Sequence, residues 1–372
     1  MSRYFVTEVT TRQHEKDFLI LPALIHINNP HFVRHLDSDI QSVFSDSHLQ
    51  LLGARVNRWL VYDQKRNQPV GKIAAFYSEQ QGKGMGFFDS IPDREVASLL
   101  FKYAELWLTQ WGPPNMPVLA PVNLGQRDSF WGLLVEGFES PSYKENYNPP
   151  YYAEFFEYHG FVKDIEQITY SVDPRKTDLN MLNRIASRAL KNTAVEIKPL
   201  DKKNVERVAD DFIAIYNQAW SVHEHFKPLN KEEMLPKIKS MLPIAPAMLN
   251  AWAYVNGKPA GFFINILEMN PILKGNKGYI SWLHKLKIGL MPRSLKKLRG
   301  IVFGVVPEFQ KLGLETAMIQ FVNKQLLGDK WRHIEEVEIS WIGDFNPKMT
   351  SLIQKLGARE SKIHYTFKKE LV

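Results

Sequence analysis

Two segments of the chain consist of short, mostly apolar runs on either side of a polar turn, which is the pattern of a β-hairpin. The segment 58–77 divides into two such runs around a polar turn that contains Asn67. The segment 251–266 divides in the same way around Asn256 and Gly257, a pair that is typical of tight hairpin turns. The recurrence predicts two similar halves, each with a β-hairpin.

A one-sided helical pattern follows each hairpin. Residues 93–111 carry apolar side chains three or four positions apart and end before Gly112, and residues 314–327 repeat the pattern before Gly328. A later strand follows each helix, and "AVEIKPL" is the predicted first strand of the second half. Strands that mostly alternate with helices predict an α+β fold with α/β-type layers.

A polar stretch marks the predicted boundary between the halves. It begins after Asp173 and Pro174 and leads into "AVEIKPL". We therefore expect a first domain over 1–175, a linker over 176–193 and a second domain over 194–372. A chain of 372 residues is long enough for two cores, and its 44% apolar and 23% charged residues are typical of folded proteins.

The absence of cysteine excludes disulfides, thiolate nucleophiles and sulfur-rich metal sites. The first residues, "MSRYFVTEVTTRQHEKDF", lack the apolar core of a signal peptide, and no stretch approaches about 18 uninterrupted apolar residues. We therefore expect a cytoplasmic protein. The distribution of charge along the chain also suggests an alternative, peripheral contact with the inner face of a membrane.

The net charge of +7, from 47 Lys and Arg against 40 Asp and Glu, is concentrated in one segment. Residues 278–300 contain no acid, and Trp282 and other apolar residues are interleaved with the cations Lys285, Lys287, Arg293, Lys296, Lys297 and Arg299. Such a segment predicts peripheral contact with an anionic membrane through 282–299. An equally weighted interpretation is a solvated helix pair whose apolar side packs on the core. Nucleic acid is not expected as a partner, because no nucleic-acid-binding module is visible.

The order of predicted elements in the second half (hairpin, strand, loop with Gly, helix, strand, short helix, strand) resembles the GNAT superfamily of acyl-CoA N-acyltransferases. The motif of that superfamily, Gln or Arg, two residues, Gly, one residue, then Gly or Ala, is matched from Gln310 to Leu314 and departs at Glu315. The segment "NPKMTSLIQKLGA" is similar to a later family segment. Phrases such as "YNPPYYAEFFEYHGF" and "EISWIGDFNPKM" extend the resemblance over nearly the whole chain, to a bacterial family of tandem GNAT-like proteins.

The resemblance implies two tandem GNAT-like domains, each a mixed, mostly antiparallel, twisted sheet flanked by helices. It implies an enzyme that moves an acyl group from coenzyme A to a primary amine. The first half lacks a comparable loop, so we expect it to be degenerate and to shape the acceptor site or support the other half. Two alternatives remain: an N-acyltransferase for a long-chain, sphingoid-type amine at the membrane surface, and a non-catalytic acyl-CoA or metabolite-binding protein.

The loop at Gly313 is the predicted coenzyme A site. Backbone N–H groups at the start of a helix carry partial positive charge and can hold a pyrophosphate. The residues expected to bind the cofactor are Phe303, Gly304, Val305, Val306, Gln310, Lys311, Leu312, Gly313, Leu314 and Thr316. In the alternative interpretation, Gly313 only permits a tight turn and Glu315 is an ordinary acid of the first helical turn. The three glycines at 82, 84 and 86 are expected to form a strand turn instead of a second phosphate site.

Candidate catalytic residues are poorly specified. Many GNAT enzymes use a Tyr seven residues after the motif Asn as general acid, and counting from Asn346 reaches Ile353, which cannot serve. Glu338, Asn346 and Tyr365 are the proposed substitutes. In the alternative interpretation, Glu338 is a solvated strand residue, Asn346 caps a helix and Tyr365 is a packing residue.

Candidates for the acceptor site come from both halves. The expected substrate-binding residues are Tyr216, Trp220, His223, Glu224, Asn123 and Tyr151. The neighbouring His223 and His225 lie two positions apart, which is not the spacing of metal ligands on a helix, so no metal is expected. The alternative is a polar loop around His223 and a packed corner around Tyr151.

Overall fold

The computed structural model describes residues 3–124, 127, 129–191, 194–221, 228–290, 292–343 and 346–371. The strands in these ranges are β1 (Tyr4–Glu8), β2 (Ala54–Asp63), β3 (Gln68–Ser78), β4 (Gly82–Ser90), β5 (Val118–Ala120), β6 (Leu133–Glu136), β7 (Val162–Val172), β8 (Val195–Pro199), β9 (Ala251–Val255), β10 (Lys258–Leu267), β11 (Lys297–Val305), β12 (Glu336–Gly343) and β13 (Arg359–Lys369). The helices are α1 (Arg12–Ile25), α2 (Asp37–Val43), α3 (Asp46–Leu51), α4 (Arg94–Leu108), α5 (Tyr152–Tyr158), α6 (Leu179–Leu190), α7 (Val205–Trp220), α8 (Lys231–Met241), α9 (Asn270–Leu273), α10 (Trp282–Leu290), α11 (Leu314–Leu326) and α12 (Pro347–Lys355).

The two predicted hairpins are confirmed. β2 and β3 join at a turn in which Asn67 has a φ of 49°. β9 and β10 join at Asn256 and Gly257, with φ angles of 50° and 75°. Two consecutive residues with positive φ define the turn whose twist matches that of the strands, which is why the Asn-Gly pair predicted it.

All the described strands form one sheet, in the order β1-β2-β3-β4-β5-β13-β7-β12-β11-β10-β9-β8, with β6 also paired to β13. The last strand of each half lies beside the other half. β13 pairs with β5 at Phe367↔Ala120, and β7 pairs with β12 at Glu338↔Ser171. β7 and β13 pair with each other through the middle of the sheet. Each half is therefore completed by a strand of the other.

Most of the segment predicted as a linker, 176–193, forms helix α6. Gln320 of α11 donates a hydrogen bond to Asn183 of α6 at 2.5 Å. Ala186 and Ala189 pack against Ala317 of α11. These small side chains let the two helices approach closely.

Helices cover both faces of the sheet in each half. In the first half, α4 and α5 pack on one face and α1 to α3 on the other; in the second half, α11 packs on one face and α7 and α8 on the other. The structure confirms the α+β class. Within the described residues, no helix combines the length and the apolar character needed to span a membrane.

The glycine-rich stretch of the first half is not the turn that we expected. Gly84 and Gly86 lie inside β4, and only Gly82, at its start, has a positive φ, of 78°. A Cβ atom on Gly86 would lie 2.0 Å from the carbonyl oxygen of Val122. These glycines therefore allow another part of the backbone to approach the strand closely.

Candidate functional site

β11 and β12 separate partway along their length. They pair in parallel from Lys297↔Glu336 to Gly300↔Ile339, but β11 continues to Val305. Val302 and Gly300 pair with consecutive residues of β10, so Ile301 between them forms a β-bulge. The bulge lies where β11 separates from β12. The strands therefore form a V-shaped opening beside residues 301–305.

The backbone of β11 presents hydrogen-bonding groups to this opening. The N–H of Val306 donates to the carbonyl of Ala260 at 2.9 Å, on the β10 side. Successive peptide groups of a strand point to opposite sides, so the N–H groups of Val305 and Phe303 point towards the opening. The side chain of Gln310 reaches the Val305 carbonyl on the same side, at 3.4 Å.

The backbone N–H of Val306, one of the residues predicted to bind the cofactor, therefore points away from the opening. That N–H is engaged by Ala260, and the Val306 carbonyl accepts from Phe309 at 2.9 Å as the chain turns into the 3₁₀ helix Pro307–Leu312. Val306 instead packs its buried side chain in the core under α7 and α8. Phe303, Gly304 and Val305 do border the opening.

Gly313 joins the 3₁₀ helix to α11 with a φ of 75°, a conformation that favours glycine. Gly313 is the N-cap residue of α11 and has no side chain that could accept a hydrogen bond from the first N–H groups of the helix. A Cβ on Gly313 would lie 3.5 Å from Ile185 and 3.6 Å from Ala189, at ordinary contact distance from α6. The positive φ, and not a lack of space, therefore requires glycine here.

The other predicted loop residues offer the cofactor mainly their backbone. Lys311 is exposed, Leu312 is half-buried, and Leu314 and Thr316 are buried. Only the ammonium of Lys311 is a charged side chain among the four. The backbone N–H groups around Gly313 are therefore the chemically useful part of the loop.

Glu315 is the residue of this loop that opposes an anionic ligand. Its half-buried carboxylate accepts a hydrogen bond from its own backbone N–H. Burial raises the pKa of Glu315, and that backbone hydrogen bond lowers it by less. The carboxylate thus lies over the helix N-terminus, where a pyrophosphate would otherwise meet the N–H groups.

The equivalent opening of the first half is filled by α5. β4 pairs with β5 up to Gly84↔Leu119 but continues to Ser90. The N–H of Ser90 donates to the Tyr152 hydroxyl at 2.7 Å, and the Tyr151 hydroxyl donates to the Ser90 carbonyl at 2.8 Å. Two tyrosines therefore occupy the strand edge that is open in the second half. Tyr151, which we predicted to line an acceptor pocket, has this role instead.

A buried charge cluster lies on one face of the central strands. Glu338 of β12 is fully buried and lies 3.0 Å from the ammonium groups of Lys297 and Lys362. The Arg299 guanidinium lies 3.7 Å away, and the Ser142 hydroxyl donates to the same carboxylate. Burial raises the pKa of Glu338, but the three cations and this hydroxyl outweigh it and hold the pKa far below the usual range.

This environment does not suit Glu338 to the catalytic role that we predicted. A carboxylate with so low a pKa does not accept a proton near neutral pH. Its oxygens are also already occupied by the cations of β11 and β13. The expectation of a solvated strand residue fails as well, since Glu338 is the centre of a buried ionic network.

A loop over residues 137–148, here named the cover loop, lies over the polar face. Arg299 donates to the carbonyl of Tyr143 at 2.7 Å, and Lys362 forms an ion pair with Glu145. Below it is a small cavity of about 20 Å³, enough room for one water molecule. Both halves line this central cleft, with Arg127, Ser129, Phe130, Trp131, Lys144, Glu145, Gln167, Thr169, Arg299, Trp341 and His364.

His364 is the cleft residue best suited to accept a proton. Its Nε2 lies 3.2 Å from the carbonyl of Asn146, so Nε2 carries the hydrogen and Nδ1 is the free acceptor. Burial lowers the pKa of His364, and Lys362 adds to this effect, while Glu145, Asn146 and Glu338 partly oppose it. The imidazole is therefore neutral near neutral pH.

The sequence analysis missed His364, although a weak signal was present. Lys362, His364 and Thr366 alternate with apolar residues along β13 and share one face of the strand. Such a face is normally assigned to solvent. The cover loop buries this polar face of β13. No local sequence pattern predicts that the loop would lie there.

Tyr216 and Trp220 lie beside the opening. Their rings stack with centroids 4.5 Å apart at the end of α7. A Cβ on Gly304 would lie 2.5 Å from the Trp220 ring, so Gly304 allows this ring to lie directly on β11. The structure thus brings two predicted acceptor residues to the predicted cofactor strand. His223 and Glu224 lie outside the described residues.

Tyr365 and Asn123 are not part of this arrangement. Tyr365 packs beside Phe367 on the α5 face of β13, opposite to His364, with the Lys163 ammonium 4.7 Å from its ring centroid. Asn123 is buried in the first half and donates to the carbonyl of Ser129 at 3.2 Å. Tyr365 therefore lies away from His364 and the cleft, while the substrate-binding role of Asn123, whose buried Oδ1 has no hydrogen-bond partner among the described residues, stays a prediction.

Asn346 takes the alternative role of a helix cap, since its side chain accepts from the N–H of Met349 at 3.3 Å at the start of α12. Ile353 is buried in the same cluster as Tyr170, so its position offers no hydroxyl to the opening. Among the described residues, no group of three or more His, Asp or Glu side chains is arranged to hold a metal ion.

Two curated proteins are similar to the chain over nearly its whole length. "Protein YghO" of Escherichia coli is 24% identical over 377 residues, covering 96% of this chain and 93% of that protein. "Bacterial ceramide synthase" of Caulobacter vibrioides is 26% identical over 381 residues, covering 98% of this chain and 97% of that protein. No family model matches the chain.

Solved structures resemble the whole chain. A tandem GNAT protein from the clavulanic acid biosynthesis pathway superposes with a TM-score of 0.57 at 11% identity, covering 99% of both chains. A GCN5-related glucosamine N-acetyltransferase region of a fungal multi-domain β-N-acetylglucosaminidase superposes with a TM-score of 0.58 at 11% identity. The second match covers 99% of this chain but only 38% of that larger protein.

These likenesses define the class of the fold, that of the GCN5-related N-acetyltransferases. More particularly, the chain has the tandem GNAT fold, in which two such units lie in one polypeptide. This confirms the fold that the sequence led us to expect.

Proposed function

We propose that this protein is an N-acyltransferase that moves an acyl group from a coenzyme A thioester to a primary amine. The observation that carries the proposal is the opening between β11 and β12, which lies next to the uncapped N-terminus of α11. The N–H groups on the open edge of β11 are complementary to a thioester carbonyl, and those at the N-terminus of α11, where Gly313 supplies no capping side chain, are complementary to a pyrophosphate.

In this proposal the amine attacks the thioester carbonyl directly. One of the two N–H groups, that of Phe303 or that of Val305, donates to the carbonyl oxygen as negative charge develops on it. The carbon–sulfur bond breaks, and the thiolate leaves with coenzyme A. Holding amine and thioester on one strand edge supplies part of the rate enhancement through proximity.

We propose that the acceptor amine binds at the edge of the central cleft, whose volume of about 20 Å³ leaves room for one water molecule between the amine and His364. The cleft lies on the face of the sheet that carries Arg299 and Ser340, and the first half contributes Arg127, Trp131 and Lys144 to it. Because Tyr151 and Tyr152 fill the opening of the first half, we assign coenzyme A binding to the second domain, 194–372. The first domain, 1–175, then acts as the acceptor-site domain.

We assign to His364 the removal of the proton from the acceptor amine, through water in the cleft. We expect His364→Gln to lower kcat about 100-fold, the usual contribution of general base catalysis, while the Kd for acyl-CoA stays unchanged. The rate of the parent protein should fall as the pH drops through the lowered pKa of His364, because the protonated imidazole accepts no proton. Steady-state rates against pH test both points.

Tyr365→Phe is the matched control for His364→Gln, since Tyr365 is the next residue of β13 but faces the opposite side of the sheet. It should leave kcat and its pH profile unchanged. A parent-like rate for His364→Gln would remove His364 from the mechanism without affecting the cofactor assignment.

We expect Glu315→Gln to tighten coenzyme A binding by about tenfold, the effect of removing one like charge at short range in a partly exposed site. For the same reason, the affinity of the parent protein should rise as the pH falls towards the raised pKa of Glu315. The variant should show less of this pH dependence. Calorimetric titrations at several pH values measure both, and an unchanged or weaker affinity would show that the carboxylate does not face the ligand.

The proposed acceptor is a long-chain amine. The similarity to a protein named as a bacterial ceramide synthase supports this class, since a ceramide is the N-acyl derivative of such an amine. The test is amine-dependent release of coenzyme A thiol from palmitoyl-CoA, compared between a sphingoid base and a short alkylamine. Equal rates with both amines would contradict the long-chain assignment but not acyl transfer.

A non-catalytic acyl-CoA-binding protein is the second candidate. Ile353, at the position of the usual general acid, and Glu315, over the helix N-terminus, are the observations that favour it. In the same assay, tight binding of palmitoyl-CoA with no thiol release for any amine would select this candidate.

A further inference from the structure

The second half contains a long excursion that the first half lacks. β3 and β4 of the first half are joined by a short turn between Ser78 and Gly82. Their counterparts β10 and β11 are joined by residues 268–296, which include α9 and α10. From Met269 to Gly300 this excursion has no acidic residue.

The base of the excursion is held firmly against the first half. The Asn270 amide donates to the carbonyl of Pro141 at 2.8 Å, and the Asn276 amide donates to the carbonyl of Arg34 at 2.7 Å. The N–H of Asp37 donates to the carbonyl of Gly278 at 2.7 Å. The position of α10 relative to the rest of the protein is therefore well defined.

The tip of the excursion exposes large apolar side chains, whereas Leu295 and Leu298 of the segment 282–299 pack in the core, as the alternative interpretation expected for its apolar side. Trp282 is 71% exposed, and Tyr279, Leu283 and Leu286 are each about half exposed. The exposed Lys285 and Lys287 lie among them. We name residues 279–287 the basic apolar patch. The side chains of residues 288–290 and all of Met291 lie outside the description.

We propose that the basic apolar patch docks on an anionic lipid bilayer. The rings and leucine side chains enter the headgroup region, and Lys285 and Lys287 meet the anionic headgroups. Several neighbouring exposed large apolar side chains mark an interaction site, and charge complementarity selects an anionic partner because residues 279–287 include two lysines and no acid. The combination of Trp, Leu and Lys on one short helix suits the bilayer interface, which offers both apolar and anionic groups.

The anchors of the patch also hold the cover loop. Glu268 accepts from the N–H of Tyr143 at 3.1 Å, and Asp39 of α2 accepts from the Tyr143 hydroxyl and pairs with Lys144 at 3.1 Å. Docking would therefore place the covered side of the central cleft next to the membrane. This second part rests on the proposed function, because it supplies the cleft with a long-chain amine from the bilayer.

The test is flotation of the full chain with vesicles of phosphatidylcholine, with and without phosphatidylglycerol. We expect the parent protein to float only with the anionic vesicles and to detach at high salt. Lys285→Ser with Lys287→Ser should weaken binding about thirtyfold, since each cation contributes about fivefold. Trp282→Ser with Leu286→Ser should weaken it at least about tenfold.

The matched control is Lys102→Ser with Leu106→Ser on α4, where Lys102 is exposed and Leu106 is 62% exposed. It should bind vesicles like the parent protein. No flotation of the parent, or equal flotation of the patch variants, would overturn the proposal. A dimer that only the patch variants lose would also overturn it, since the patch would then join two copies of the chain.

Palmitoyl-CoA titrations of the same variants separate this proposal from the proposed function. Variants that bind palmitoyl-CoA normally but do not float would support membrane docking independently of catalysis. Variants that float but show no amine-dependent thiol release would leave docking intact and contradict the acyltransferase assignment.

Discussion

Gly313→Trp abolishes measurable binding of coenzyme A, acetyl-CoA and palmitoyl-CoA, with a Kd at least about 100-fold above that of the parent protein. This loss of binding free energy corresponds to two lost charge-assisted hydrogen bonds, at about 1.5–3 kcal/mol each. The side chain would start out towards Ile185 and Ala189 of α6, and an indole there would displace the N-terminus of α11, where we place the pyrophosphate. Calorimetric titration of the folded variant is the measurement.

The matched control is Gly257→Trp. Gly257 has the same φ of 75° as Gly313, and a Cβ at Gly257 would meet nothing within 4 Å. The backbone strain of the two substitutions is therefore similar, while Gly257 lies in the β9–β10 turn, away from the opening. Equal loss of affinity in both variants would assign the effect to strain. Parent-like binding by folded Gly313→Trp would show that the loop does not hold the cofactor.

Glu338→Gln lowers the free energy of unfolding by about 3–5 kcal/mol, the usual effect of removing one partner of a buried ion pair. The substitution preserves the shape of the side chain but leaves Lys297, Lys362 and Arg299 without their shared counter-charge. Urea denaturation at neutral pH measures the loss.

Glu336→Gln is the control, since Glu336 lies on the same strand and pairs with the same Lys297, at 3.3 Å, but is 33% exposed where Glu338 is 1% exposed. Glu336→Gln should lower the free energy of unfolding by less than about 1 kcal/mol. Equal effects of the two substitutions would contradict the assignment of Glu338 as the centre of the network.

The pH dependence of stability has a definite sign. The folded-state pKa of Glu338 lies below its unfolded value, so its contribution is fully present above the unfolded pKa and is lost as the pH falls towards the folded pKa. The parent protein should therefore lose stability faster than Glu338→Gln on acidification. Parallel acid profiles for the two proteins would contradict the lowered pKa.

Several local features of the chain were recognisable from sequence. The turns at Asn67 and at Asn256-Gly257 follow from residues that tolerate positive φ, and α4 and α11 follow from apolar side chains spaced three or four apart. The glycine at 313 indicated a strand-to-helix loop. These features depend on interactions between residues close in sequence, which a linear pattern records.

Other site residues were misjudged because their roles depend on distant partners. Tyr151 meets the backbone of Ser90, and Glu338 meets the cation of Lys362 on β13. Both contacts join residues that are far apart in the chain. The same residue types in a local pattern are equally consistent with a pocket, a solvated surface or a core.

The sequence by itself determined the two-part plan of the protein, its hairpins, the two main helices and the Gly313 loop, since each of these reflects local conformational preference and apolar periodicity. Only the tertiary structure decided that β7 and β13 exchange places between the halves. That exchange pairs β7 with both β12 and β13, and the cover loop then buries Glu338 and His364. The burial of a polar strand face depends on which segments meet across the sheet, and packing energy rather than local preference selects them.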